Sequence, residues 1–277
     1  MQRTLVLGVV AALAGCPSGG GDGKVAKPVP PPLPGNVGKH DLPEIPAKID
    51  VSKSLPMEGN SPNQRSPILD ILKTENDREI ASLKKAQEPA YYLAYQLVEQ
   101  RVVSLEAEGG ALISDNDDTA RNLDVEVRVG SPRLDNTRAL SDDSNGLNAP
   151  LTRRGVVPFG EDKQAITHAL WLETDRRYHE AVTALGYVKQ DQATLSKQGT
   201  DPDFSSAAPQ VYIEKQATLA FDKSQWVERL KRCSAKALAG DATRGTCGVV
   251  FQLNTAYFVN SEGTQLQLSW TNAQLSV

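Results

Sequence analysis

The most regular alternation of apolar and polar positions lies in NLDVEVRVG, where Leu123, Val125, Val127 and Val129 are interleaved with Asp124, Glu126 and Arg128. A period of two with one charged side predicts a half-buried antiparallel strand. Upstream, Ile68, Leu72, Ile80 and Leu83 recur at helical spacing, with Ser66 in the capping position and Pro89 closing the segment. YYLAYQLVEQRVVSLEAEGGALI then reads as two strands that break near Glu99–Arg101, with Tyr91, Leu93, Tyr95 and Leu97 on one face. Residues 141–161 read as a polar loop.

The second half repeats the order. Asp162 caps a long helix reaching about Leu195, striped by Ile166, Ala169, Leu170, Tyr178, Ala181, Val182 and Leu185 and weakened at Gly186. A short apolar piece, VYIE, follows at 211–214. Phe221–Ala239 is a second amphipathic helix, with Trp226, Val227, Leu230 and Leu238 inward. Two strands close the chain, one with the face Val249, Phe251, Leu253, Tyr257 and Val259, the other with Leu266, Leu268 and Trp270. Asn260, Ser261, Glu262 and Gly263 form the hairpin loop between them, and AQLSV reads as a third strand barely begun. Helix then antiparallel strands, twice, with the second copy incomplete, is an α+β pattern with helices packed on an antiparallel sheet.

Before residue 67 the periodicity is missing. MQRTLVLGVVAALAGC carries one basic residue, Arg3, and an apolar run from Leu5 to Ala14. That run is shorter than the roughly 20 residues a spanning helix needs and has the length of a secretory core. Leu13-Ala14-Gly15-Cys16 looks like a bacterial lipobox, which makes residues 1–15 a lipoprotein signal peptide and Cys16 the lipidated residue. Several acyl chains hold a protein at a membrane far better than one does. Residues 16–66, rich in Pro, Gly and Ser, read as that anchor plus a disordered tether, and residues 67–277 as the folded part. The cell envelope is the expected location. Pro17 in place of an Asp after the anchor favours the outer membrane, facing the periplasm.

The 277 residues are 39% hydrophobic and 23% charged, with a formal net charge of −4 and no basic stripe interleaved with aromatics. That balance argues against nucleic acid as a partner. His179-Glu180 opens like an HExxH zinc motif, but position i+4 is Thr183 and i+5 is Ala184. His168 precedes His179 by three helical turns, a rise of roughly 16 Å, so the two cannot share an ion. His40 lies in the tether. The acidic run Asp115–Asp118 lacks the third ligand and the Gly of a calcium loop and reads as a loop between strands. No catalytic residue, metal site or cofactor is assigned, and enzyme activity is left uncertain, leaning against. Cys233 and Cys247 are the thiols besides Cys16. In an exported chain they either pair or remain as two buried thiols.

Several stretches together resemble the TldD/PmbA family: AYYLAYQLVE, LDVEVRVGSPRLDNT, HALWLETDRRYHEAV, PDFS with VYIE, and YFVNSEGTQL, which contains Asn260, Ser261, Glu262 and Gly263. They span about residues 68–277, and none is a catalytic motif. The resemblance implies an α+β N-terminal domain followed by a larger C-terminal domain. It also implies zinc metallopeptidases, or inactive partners of them, that work as pairs. In the TldD-type subunit the HExxxH motif lies further along than this sequence runs, and His179-Glu180 does not stand in for it. The resulting expectation is a membrane-anchored, noncatalytic TldD/PmbA-like module that binds a partner protein, either a TldD/PmbA-type peptidase subunit or a second copy of itself. The alternatives are one part of a split zinc metallopeptidase whose catalytic half is a separate chain, and a structural envelope lipoprotein.

Overall fold

Four long strands carry the structure, a computed structural model that describes residues 59–141, 155–194, 201–238 and 243–277. The elements are α1 (Pro67–Leu83), β1 (Ala90–Glu108), β2 (Ala111–Ser131), β3 (Leu134–Asp135), β4 (Gly155–Val156), α2 (Lys163–Thr194), β5 (Val211–Ile213), α3 (Lys223–Ala237), β6 (Thr246–Asn260) and β7 (Gln265–Ser276). The sheet runs β3-β2-β1-β6-β7-β5, with β4 also on β2. All its pairs are antiparallel except β5 with β7. The class is α+β.

Apolar side chains alternate along β1 and β6 and the second half of β2, in two stretches, and they place every helix on one side. Leu93, Tyr95 and Leu97 of β1, Leu123 to Val129 of β2, and Tyr257 and Val259 of β6 form one buried cluster with α1 and α2. Further along the same faces, Val103, Leu105 and Ala107 of β1 and Cys247, Val249 and Phe251 of β6 form a second cluster, with Leu230 of α3. All these strand positions are odd-numbered. Because β1 pairs β6 odd to odd throughout, and pairs β2 odd to odd from Leu93 opposite Val127 to Leu105 opposite Asp115, both clusters lie on one face of one sheet.

The expected break at Glu99–Arg101 is not there. β1 runs through it, with Glu99 opposite Arg121 and Arg101 opposite Thr119. The charged positions fall between the two apolar clusters and are paired rather than turned: Glu99 with Arg121, and Arg101 with Asp117 at 2.7 Å. The chain reverses instead at Gly109-Gly110, whose φ values of 55° and 91° suit a two-residue hairpin loop that only glycine enters without steric cost. The acidic run Asp115–Asp118 is likewise strand rather than loop. Asp115, Asp117 and Asp118 pair with Leu105, Val103 and Val102, and the carboxylates stay in solvent, where Lys223 reaches Asp115 at 2.7 Å.

The helix starts follow the sequence. Ser66 Oγ accepts from the Ile68 N–H, Asp162 Oδ1 from the N–H groups of Gln164 and Ala165, and Asp222 Oδ1 from that of Gln225. α2 passes straight through Gly186, which is exposed. α3 ends at Ala237. Leu238, expected inward, sits at its C-cap and is 39% exposed. Within the expected polar loop, residues 142–154 lie outside the described residues, while Gly155–Val156 add the short strand β4 to β2.

The packed region begins before Pro67. The Ser61 N–H donates to the Ile213 carbonyl, Asn60 Oδ1 accepts from the Ile213 N–H, and Arg65 reaches the side chains of Asp70 and Gln265. At the other end, AQLSV is no new strand: it is the second half of β7, paired with β6 as far as Gly248 opposite Ser276.

Candidate functional site

The final strand reverses the expected burial. Register with β6 puts Gln267 opposite Tyr257 and Ser269 opposite Thr255, so these two polar residues face the helices. Gln267 is 0% exposed and Ser269 3%, whereas Leu268 is 36% exposed. Alternation on an uncovered sheet does not say which side meets the core, and here polar partners decide it. Gln267 Oε1 accepts from the Ser66 N–H at 2.8 Å, and its Nε2 donates to the carbonyls of Gln64 and Glu214. The Ser269 N–H donates to Glu214 Oε2, and Ser269 Oγ accepts from the Ala217 N–H. These two side chains therefore tie the entry to α1 and the segment after β5 to the sheet.

Between the two apolar clusters lies a polar seam. Arg121, 6% exposed, pairs with Glu99 and donates to the carbonyls of Pro158 and Gly160. The Tyr257 hydroxyl donates to Glu99 Oε2 at 3.2 Å and accepts from Gln216 Nε2 at 2.9 Å. Burial, with Glu99 nearby, pushes that hydroxyl's pKa up to about 12, so it stays protonated and serves as a structural donor.

A second polar knot closes the other end of the β1–β2 hairpin. Asp135, 0% exposed, accepts from the Tyr91 hydroxyl at 2.5 Å, from Arg128 at 3.0 Å, and from both the N–H and the hydroxyl of Thr137 at 2.7 Å. Burial alone would raise this carboxyl. The donors outweigh it and hold the pKa below the usual carboxylate value. Arg128 also lies over the Phe204 ring at 5.0 Å, and Phe204 packs on Tyr91 and Tyr92.

The hairpin quartet is held by its own side chains. Asn260 Oδ1 accepts from the N–H groups of Glu262 and Thr264, and the Ser261 N–H and Oγ exchange bonds with the backbone of Leu93. Glu262 accepts from the Ser206 hydroxyl, and Gly263 takes φ 102°. Cys233 and Cys247 are joined, with Cα atoms 6.0 Å apart, tying α3 to the start of β6. Cys16 and His40 lie outside the described residues. His179 Nε2 sits 3.5 Å from Asp175 on the exposed side of α2, and His168 stacks on Trp171. Among the described residues no group of three His, Cys, Asp or Glu is placed to hold a metal ion.

What the fold offers a ligand is surface. The sheet face away from the helices carries Val98 and Val102 of β1, Val250, Ala256 and Phe258 of β6, and Leu266, Leu268 and Trp270 of β7, each part-exposed. The same face of β2 presents Asp118, Asp124 and the Glu126–Arg128 ion pair at 2.6 Å, a charged border to an apolar field. The sequence contained this field as the face Leu266, Leu268 and Trp270. It gave no sign of which side the helices would take. No helix among the described residues is long and apolar enough to cross a membrane.

No protein-family model matches the sequence. No curated protein matches it either. Solved structures do. A candidate modulator of a DNA gyrase from Thermotoga maritima aligns over 73% of this chain at 13% identity and a TM-score of 0.39. TldE from Thermococcus kodakarensis aligns over 75% at 9% identity and a TM-score of 0.35. A candidate modulator of DNA gyrase from Bacteroides thetaiotaomicron aligns over 73% at 11% identity and a TM-score of 0.32. In each case the aligned region spans 38% of the other chain.

Proposed function

We propose that this chain is a lipid-anchored, noncatalytic TldD/PmbA-like module of the cell envelope that binds a partner protein. The observation that carries the reading is the sheet face away from the helices, where Phe258, Leu266, Leu268 and Trp270 form one part-exposed apolar stretch on adjacent strands β6 and β7. Contiguous exposed apolar surface with a polar border is the form an interaction site takes. The anchor at Cys16 and the family-like stretches AYYLAYQLVE and YFVNSEGTQL support the module's setting and its kind of partner, a TldD/PmbA-type peptidase subunit.

The test is affinity capture of the acylated chain from its native membrane, beside a Leu268→Lys/Trp270→Lys variant. A peptidase-like chain recovered with the native protein and lost with the variant is the expected result. Recovery with no second protein species overturns the reading. Chelator-sensitive peptide hydrolysis by the purified chain alone would overturn its noncatalytic part.

A further inference from the structure

We propose that β7 pairs with β7 of a second copy of this chain, antiparallel and centred on Ala273, joining two sheets edge to edge. The register shows which backbone groups are available. On the outer side of β7, the Gln265 N–H donates to the Gln210 carbonyl and the Gln267 carbonyl accepts from the Glu214 N–H, while the Ser269 N–H is taken by Glu214. Beyond Ser269 this cover ends, because β5 pairs only with Gln265 to Gln267. The next outward-facing residues are Thr271, Ala273 and Leu275, all exposed, and no described segment lies against their outer N–H and carbonyl groups.

Three such residues, evenly spaced about Ala273, are self-complementary under a twofold axis. Ala273 meets Ala273 of the second copy, and Thr271 meets Leu275, each pair exchanging two N–H···O=C bonds. Six backbone bonds result. An unpaired edge is a pairing template unless charge, proline or a bulge defends it. Residues 264–277 contain no charged residue and no proline, and the β6–β7 register is free of shifts. The opposite edge is different: β2 carries Asp115, Asp117, Asp118, Arg121 and Asp124, so a second copy there would set like charges against one another. The neutral edge is therefore the one that accepts an identical chain. This pairing uses the edge of β7 and leaves the open face free, so it and the proposed function stand or fall separately.

Cysteine cross-linking of the full chain in its membrane tests the register. In the pairing, the two copies of residue 273 have Cα atoms about 5.5 Å apart, within disulfide reach. The two copies of residue 271 are about 14 Å apart, four residues along the strand, and out of reach. On mild oxidation, Ala273→Cys is expected to run at twice the mass of its reduced form on a non-reducing gel, while Thr271→Cys and the native chain remain single. An Asn272→Cys/Gln274→Cys variant places opposed thiols on the open face and should link as Ala273→Cys does. The inference is overturned if neither the 273 nor the 272/274 variant links, or if Thr271→Cys links equally well.

Discussion

Gln267 is the residue whose role departs most from its position in the alternation. It sits opposite Tyr257 in the helix-facing layer and satisfies one backbone N–H and two carbonyls. Gln267→Leu removes all three partners from buried groups and should cost about 3 kcal/mol, measured by urea unfolding. Asp135 gives a pH signature. Its folded pKa lies below the ordinary carboxylate value, so its contribution is present above the unfolded value of about 3.9 and is lost as pH falls through the folded one. Asp135→Asn should therefore lower stability at neutral pH and flatten the loss of stability below about pH 4, followed by thermal melts across pH. Gly186 has the opposite sign. A Cβ there meets nothing within 4 Å, so Gly186→Ala should stabilise α2 by about 1 kcal/mol, seen as a rise in Tm. Ser66 and Asp162 were legible as caps in the sequence because each acts within three residues of itself. Gln267 and Asp135 were not, because their partners lie far away along the chain.

At the scale of elements, α1, α2, α3 and the alternating stretch of β2 follow from periodicity and caps. The β1–β2 hairpin was the element misread. A two-residue Gly-Gly loop carries the turn, while the charged stretch at 99–101 only imitates one. Its charges belong to a seam between two cores, and such a seam cannot be seen until the strands are laid side by side. The disulfide belongs to this scale too. It closes a loop of roughly 15 residues between α3 and β6, and Cys233→Ser with Cys247→Ser should destabilise the chain by about 3 kcal/mol in denaturant titration. Hydrogen exchange should then rise first in α3, whose buried positions are only Leu230 and Ser234.

For the whole molecule, both apolar clusters are built on the same strands β1 and β6, so neither core can come apart without straining the other. A single cooperative unfolding transition is expected, with tyrosine and tryptophan signals coinciding; two separated transitions would contradict it. With His168 and His179 on different partners, prolonged chelator dialysis should leave Tm unchanged and elemental analysis should find well under one zinc per chain. The α+β class was legible from element order. The sidedness of the molecule was not, because a strand's alternation is symmetric until something covers one side.

β1 and β2 reach from the Phe204 clamp at one end to the Gly109-Gly110 turn at the other, roughly 60 Å at the usual strand rise, with shifts in their pairing only near the two ends. Strands of that length, cross-braced on one side by three helices, behave as a stiff plank. Load taken up at one tip is delivered to the far tip with little loss in bending.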